Sequence, residues 1–333
     1  MTTAKWLLWG TILLFILLPG GCRFAVGAPT PVVLYTSVPG EVMAEIETAF
    51  EATYPDLDLQ VYRAGTSDIM SRVEEELAAG RIEADVLWVA DFTVGEELKA
   101  QNALLQYTPP EADAILTPLR DPDGNYFAGR LLNMVVAYNT TALPAPPTDY
   151  NDLLDSRYHG RVGHADPTSG AFLYFMGTLL QDPNYDVNFF KQLSANAPRI
   201  QNNTETAQSI AAGDLDIGLT IDFIVRNIRQ ENPEAPIDFI YPENGVVMVP
   251  SPIAIFKDAP HREEAKVFEQ YILSRTGQAL LRDKAGVVPV RLDVKPPADV
   301  VSITQLQVIP TDPTWIRLNR EEIVAIYNTI YGE

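Results

Sequence analysis

Small hydroxyl, carboxylate and glycine residues recur at four points where a short apolar segment ends and an amphipathic segment begins. These four turns are Thr36-Ser37, Gly65-Thr66-Ser67, Ala90-Asp91 and Asp166-Pro167-Thr168-Ser169-Gly170. The first turn of a helix has backbone N–H groups without intrahelical partners and lies at the positive end of the helix dipole, so it attracts oxyanions. Neighbouring hydroxyl groups can donate to further ligand oxygens. The turns therefore predict either plain helix caps or a shared site for an oxyanion-bearing ligand.

The segments around these turns alternate between two hydrophobic periods. Short apolar runs typical of strands occupy residues 32–35, 57–62, 84–89, 131–138, 161–165 and 215–221. Helical spacing of apolar residues occurs at 42–50, 69–77, 95–101, 171–180, 204–212, 263–282 and 320–331. Strands that alternate with helices indicate βαβ units and a mainly parallel sheet. In such a sheet ligands bind beyond the carboxyl ends of the strands, where the four turns are expected to lie.

The chain is long enough for two lobes, each with its own core, because it has 333 residues. Proline-rich turns flank the apolar segment 131–138, which is long enough to bridge two lobes. We expect the chain to cross between the lobes near Tyr138 and near Gly245. The predicted fold is α/β, with two α/β lobes joined by hinge strands. The predicted divisions are a signal peptide at 1–21, a tether at 22–31, lobe one at 32–137 plus 246–333, and lobe two at 138–245.

The N-terminus has the pattern of an export signal. Lys5 precedes an almost unbroken apolar run at residues 6–18, which is shorter than the roughly 20 residues that a membrane-spanning helix needs. Pro19-Gly20-Gly21 then leads directly into Cys22, the only cysteine of the chain. Small residues before a cysteine are typical of lipoprotein processing, so Cys22 is the predicted lipidation site; a plain signal peptide or an uncleaved anchor is the alternative. We expect the protein in the periplasm or on the outer face of the cell membrane.

The charge of the chain excludes some partners. The formal net charge is −20, and it becomes −21 when residues 1–21, which carry only Lys5, are removed. A strongly acidic surface disfavours nucleic acid and anionic lipid. It still permits a small anionic ligand, because local dipoles in a cleft can oppose the global field.

The sequence contains no pattern of groups typical of an enzyme. It lacks a Gly-x-Ser-x-Gly elbow and a phosphate-binding Walker sequence, and its only cysteine is at the processing site. Paired acids such as Glu74-Glu75-Glu76 and Glu263-Glu264 lie on predicted helices, where solvated faces explain them. We therefore predict a protein that is not an enzyme and uses no cofactor; a secreted hydrolase is the remote alternative.

Several motifs, in order along the chain, resemble the binding proteins of ABC transporters in the ferric-iron and phosphonate cluster. They include Gly65-Thr66-Ser67, Ala84-Asp85-Val86-Leu87-Trp88-Val89-Ala90-Asp91, Asp121-Pro122-Asp123-Gly124, Val136-Ala137-Tyr138-Asn139-Thr140, Asp152-Leu153-Leu154-Asp155, Asp166-Pro167-Thr168-Ser169-Gly170 and Tyr241-Pro242-Glu243-Asn244-Gly245. The similarity runs from about residue 32 to residue 294. It implies a type II periplasmic-binding fold, a small-molecule ligand between the lobes, and a membrane permease as partner. We expect a monomer.

The iron branch of that family binds ferric ion through adjacent tyrosines. The chain contains no Tyr-Tyr pair, and the position that the resemblance indicates holds Asp222-Phe223. The histidines His159, His164 and His261 lack metal-ligand spacing, so no metal ligands are predicted. Iron bound as a chelate or with a synergistic anion stays an alternative.

The phosphonate and sugar-phosphate branches hold a phosphate group with hydroxyls and backbone N–H groups at helix starts. The residues that match this chemistry are Ser37, Thr66, Ser67, Thr168, Ser169 and Gly170. Asp91 and Asp222 could take an ammonium group on the same ligand, with Trp88 as an apolar or cation–π wall. Alternatively, the two aspartates are helix caps and Trp88 belongs to the core. A polyamine or thiamine would use the same three residues, so both ligand classes remain open at this point.

Overall fold

The computed structural model describes residues 28–298, 300 and 304–332. The predicted signal peptide, Cys22 and the first part of the tether lie outside these residues. No helix in the described ranges is long and apolar enough to cross a membrane.

The described residues contain one sheet of nine strands. Their bounds are β1 (Thr30–Thr36), β2 (Leu57–Arg63), β3 (Val86–Trp88), β4 (Phe127–Asn139), β5 (Val162–His164), β6 (Arg199–Ile200), β7 (Ile217–Ile221), β8 (Ile237–Ile240) and β9 (Val247–Ile255). The order across the sheet is β2-β1-β3-β9-β4-β7-β5-β6, and β8 also pairs with β4. We call β1 to β3 and the helices that pack on them the first lobe. We call β5 to β7 and the helices that pack on them the second lobe.

The directions of the strands divide the sheet into two edges and a centre. β1 runs parallel to β2 and β3, and β5 runs parallel to β6 and β7. The central pairs β3–β9, β9–β4 and β4–β7 are antiparallel. The prediction of a mainly parallel sheet is therefore confirmed at the edges and wrong in the centre. The reason is that β4 and β9 carry the chain across in opposite directions.

Eleven α-helices surround the sheet in the described part of the chain. Their bounds are α1 (Gly40–Thr53), α2 (Thr66–Ala78), α3 (Thr93–Ala100), α4 (Gly170–Gln181), α5 (Asp186–Ala195), α6 (Asn203–Ala212), α7 (Asp222–Glu231), α8 (Arg262–Leu273), α9 (Arg275–Ala285), α10 (Pro313–Leu318) and α11 (Arg320–Tyr331). The helix predicted at 263–282 is two helices. Ser274 separates them, because its hydroxyl caps α9 by accepting from the N–H of Gly277.

Strand β4 joins the two lobes and is buried along its whole length. Its residues 127–134 pair with β9, and its residues 134–138 pair with β7. The register shifts between Ala128 and Arg130, opposite Pro252 of β9. A proline cannot donate to the ladder, so a bulge at Gly129 accommodates it. This bulge reorients the side chain of the next residue, Arg130.

The C-terminal helices pack against both lobes. α10 contacts α3 of the first lobe and α4 of the second, whereas α11 contacts α4 and α5. Two tyrosines of α11 dock on the second lobe, since Tyr327 and Tyr331 contact the ring of His164. The prediction assigned residues 246–333 to lobe one as a block; the exact lobe boundaries stay a prediction.

Candidate functional site

A cleft of about 610 Å³ lies between the two lobes. Residues at the N-terminal ends of five helices line it, namely α1 and α2 from the first lobe and α4, α6 and α7 from the second. This volume is within the range of small-molecule sites. The expected convergence of strand-to-helix turns on one cleft is thus observed, and it includes more helices than the four turns suggest.

Four of these helices, α1, α2, α4 and α7, begin without a side-chain cap, although in α7 the carboxylate of Asp222 accepts from the N–H of Phe223 at 2.9 Å. The residues before α1, α2 and α4 are Pro39, Gly65 and Ser169, and none accepts a hydrogen bond from the first turn through its side chain. Only α6 among the five has a capping box, formed by Asn202 and Glu205. First-turn N–H groups of α1, α2 and α4 are therefore not engaged by side-chain caps and can donate to a ligand oxygen.

Five of the predicted site residues line the cleft: Ser37, Thr66, Thr168, Ser169 and Gly170. The Ser37 hydroxyl accepts from the backbone N–H of Ala90 at 3.0 Å. The Thr168 hydroxyl donates to the Asp166 carboxylate. The Ser169 hydroxyl accepts from the side-chain amide of Asn203 at 3.1 Å, so its own proton can be directed to a ligand.

Ser67 lies at the edge of the cleft rather than in its lining. Its hydroxyl donates to the backbone carbonyl of Thr168 at 3.3 Å. Since α2 belongs to the first lobe and Thr168 to the second, this hydrogen bond joins the lobes directly.

Asp91 does not line the cleft, and its carboxylate is already occupied. The side chain is fully buried. Oδ1 accepts from the backbone N–H and the hydroxyl of Thr93 at 3.0 and 2.7 Å, and Oδ2 accepts from Arg320 at 2.5 Å. Asp91 thus precedes the N-cap of α3, Phe92; it binds the first residue of that helix and also forms an ion pair with the first residue of α11.

Asp222 is likewise buried and does not line the cleft. Its Oδ2 accepts from Asn133 at 2.9 Å, from Arg226 at 3.0 Å and from the Tyr241 hydroxyl at 2.8 Å. These partners saturate the carboxylate, so neither Asp91 nor Asp222 is positioned to receive a ligand ammonium group.

Trp88 is fully buried in the first-lobe core. Its indole faces the guanidinium of Arg130, whose central carbon lies 5.7 Å from the ring centre. The core alternative therefore describes Trp88, which supports the floor of the cleft instead of lining it.

Arg130 is a cleft residue that was not predicted from the local sequence. It is 1% exposed, yet it lines the cleft. Its Nε donates to Ser251 at 3.3 Å, and its Nη1 has no hydrogen-bond partner among the described residues. No carboxylate of the described chain forms an ion pair with it. Burial, with a contribution from Arg63, lowers its pKa to about 9, so the group remains a cation at neutral pH.

A second arginine lies beside the cleft. Arg63 ends β2, its Nε donates to the carbonyl of Val38 at 2.8 Å, and it lines the cleft without an ion-pair partner among the described residues. The charged residues that line the cleft are the arginines Arg63 and Arg130 and the glutamates Glu41 and Glu205. The side-chain charges therefore balance, and the N-termini of several helices add positive potential. This arrangement can bind an oxyanion.

The histidines do not form a metal site. His159 is exposed, and Nδ1 of His261 lies 3.0 Å from Oδ2 of Asp85. His164 is buried against Phe172, and burial lowers its pKa to about 4. Within residues 28–298, 300 and 304–332, no group of three or more His, Cys, Asp or Glu side chains is arranged to hold a metal ion. No tyrosine is among the described residues that line the cleft.

The chain is similar to several periplasmic binding proteins. A periplasmic protein of Salmonella typhi named for binding 2-aminoethylphosphonate is 25% identical over 243 residues, which are 67% of this chain and 68% of the relative. The major ferric iron-binding protein of Neisseria meningitidis is 22% identical over 313 residues, covering 89% and 92%. The periplasmic binding protein AfuA of Actinobacillus pleuropneumoniae, solved with fructose-6-phosphate, superposes with a TM-score of 0.81 at 22% identity, covering 91% and 98%.

The superposition identifies the fold as that of the two-lobed periplasmic binding proteins. The model of the family described as bacterial extracellular solute-binding protein matches residues 84–312, which is well over half of the chain. The chain therefore belongs to the bacterial extracellular solute-binding proteins.

Proposed function

We propose that this protein is the ligand-capturing component of an ABC importer and that its ligand is a small phosphonate or phosphate ester. The ligand is bound in the cleft between the lobes, delivered to membrane permease subunits and released chemically unchanged. Closure of the lobes excludes water and strengthens the polar contacts, and the ligand shifts the population toward the closed form.

The observation that carries the proposal is the buried, unpaired guanidinium of Arg130 at the floor of the cleft. Removing a cation from water without a counter-ion costs several kcal/mol. An oxyanion ligand would supply the missing charge and satisfy Nη1. Arg63 and the uncapped starts of α1, α2 and α4 would complete the set of donors around the same group.

The names of the relatives support the ligand class. One is named for 2-aminoethylphosphonate and one was solved with fructose-6-phosphate, and both molecules end in a phosphorus oxyanion. Because another relative is named for ferric iron, an iron chelate remains an alternative ligand. Phe223, which lines the cleft, has no phenolate that could bind iron directly. A polyamine or thiamine has less support, because the two candidate aspartates are occupied by arginines.

Titration calorimetry on the purified mature chain tests the proposal with 2-aminoethylphosphonate, fructose 6-phosphate, inorganic phosphate, ferric citrate, spermidine and thiamine. We expect heat from the phosphonate and phosphate compounds but none from ferric citrate, spermidine or thiamine, and we expect the ligand to be recovered unchanged after incubation. The variant Arg130→Met should lose this binding, while Arg81→Met, at an exposed arginine, should keep it. Binding of spermidine or thiamine alone would refute the oxyanion assignment.

A further inference from the structure

The ion pair between Asp91 and Arg320 connects the two lobes beside the cleft. Asp91 directly follows Ala90, a cleft residue of the first lobe. Arg320 is the first residue of α11, which packs on α4 and α5 of the second lobe. Arg320 donates to both the Asp91 carboxylate and the Thr93 hydroxyl, at 2.5 and 2.7 Å. The side chain of Arg320, whose helix packs on the second lobe, thus binds residues of the first lobe beside the cleft.

At the same place the backbone of the second lobe lies very close to that of the first, and a glycine makes this approach possible. A Cβ atom added to Gly170 of α4 would lie 2.5 Å from the carbonyl oxygen of Ala90 and 2.9 Å from Cβ of Asp91. The uncapped start of α4 therefore touches the residue that carries the ion pair. Separating the lobes at this contact requires the contacts of Arg320 to break or its helix to move.

Burial makes the pair more than a surface contact. The Asp91 side chain is fully buried, and that of Arg320 is 28% exposed. A charge left in such a place without its partner is strongly unfavourable, whereas fully exposed pairs contribute little. Glu97 and Glu74 add further negative potential at Arg320.

We propose that α10 and α11 form an interlobe strap, and that the Asp91–Arg320 ion pair is the latch that holds the start of α4 against the cleft edge of β3. The latch sets the fraction of ligand-free molecules in the closed conformation. The apparent dissociation constant of a ligand that binds the closed form is divided by that fraction, so residues that never touch the ligand tune its affinity. The link to affinity rests on the proposed function; the link to lobe closure does not.

The test uses the mature chain with Cys22→Ser, which removes its sole cysteine. Spin labels at cysteines replacing Thr48 of α1 and Asn184 after α4, both exposed, report the distance between the lobes. We expect Arg320→Met to lengthen and broaden the ligand-free distance distribution, and Arg320→Lys to restore it in part. Arg317→Met on α10 is the control, because Arg317 makes no hydrogen bond or ion pair in the described structure, and it should match the parent.

Affinity for 2-aminoethylphosphonate and fructose 6-phosphate is measured on the same variants. We expect about a tenfold weakening for Arg320→Met, within the usual range of coupling between sites. Unchanged distances in Arg320→Met and Arg320→Lys would overturn the latch, whatever happens to the melting temperature. A changed distance without binding of either probe would uphold the latch and count against the proposed ligand class. If Arg320→Met does not fold, Asp91→Asn gives the same two readings.

Discussion

The guanidinium carbon of Arg130 lies 5.8 Å from the ring centre of Phe223 at the floor of the cleft. Phe223 occupies the position at which the resemblance to iron-binding proteins implies a tyrosine. A phenyl ring therefore packs against the guanidinium of Arg130 at this position. Trp88 covers the same guanidinium from another direction. The aromatic rings partly offset the cost of burying the charge, but they do not replace a counter-ion.

Replacing Arg130 should change the stability of the protein and its affinity for the ligand in opposite directions. The change Arg130→Met removes an unpaired buried charge and keeps most of the side-chain volume. We expect the ligand-free protein to gain about 1–3 kcal/mol of unfolding free energy, measured by urea denaturation. Binding of the oxyanion ligand should fall at least about 100-fold, since a charged hydrogen-bond partner is lost. A less stable variant that still binds would show that Arg130 is a structural residue.

Adding a methyl group at Gly170 should oppose closure of the lobes. The new Cβ would overlap the carbonyl oxygen of Ala90, so the start of α4 must retreat from the first lobe. We expect Gly170→Ala to weaken ligand affinity about tenfold and to cost about 1–3 kcal/mol of folding stability, as overpacking does. Calorimetry and urea denaturation measure the two effects.

Gly40→Ala is the matched variant for the measurement of stability and lobe closure only, because Gly40 itself lines the cleft. A methyl group at Gly40 meets nothing within 4 Å, so the free energy of unfolding should stay the same or rise slightly. If Gly170→Ala behaves like Gly40→Ala in stability and closure, the packing against Ala90 has no role in bringing the lobes together.

Stability should depend on pH through Glu269 of α8. Burial, with a contribution from Glu111, raises the pKa of Glu269 well above its ordinary value, so the folded state retains a proton that the unfolded chain releases near pH 4.3. The free energy of unfolding should therefore fall as pH rises from about 4.3 toward the folded pKa. Glu269→Gln should remove this decline and be more stable than the parent at pH 7.

The control for this prediction is Glu75→Gln, at an exposed position on α2. It should follow the parent curve in urea denaturation between pH 4 and pH 8. If the free energy of unfolding of Glu269→Gln changed with pH in the same way as that of the parent, Glu269 would not contribute to the pH dependence.

The lipid anchor at Cys22 is a separate prediction, because this residue lies outside the described part of the chain. Cells fed labelled palmitate should incorporate label into the protein, and Cys22→Ser should abolish incorporation and release the chain from the membrane fraction. Ser37→Ala should remain labelled. Labelling of the Cys22→Ser variant, or none of the parent, would contradict the prediction.

Local sequence predicted the features that depend on local physics. Alternating apolar periods identified most strands, and small residues before helices identified the turns at Thr66 and Ser169 that line the cleft. The partners of the aspartates could not be found this way, because Arg320 is 229 positions from Asp91 and Asn133 is 89 from Asp222. The role of Arg130 could not be predicted from local sequence either. The direction of its side chain depends on a bulge opposite Pro252, which belongs to a strand far away in the sequence.

The antiparallel pairing of β3 with β9 also constrains the order of folding. Val86 pairs with Ile255, so the first lobe cannot complete its sheet until the whole second lobe has been synthesised. Such long-range pairing slows folding. For a protein of an extracellular or periplasmic family, slow completion of the sheet leaves the early segments unfolded for longer, which is the state in which a chain can cross a membrane.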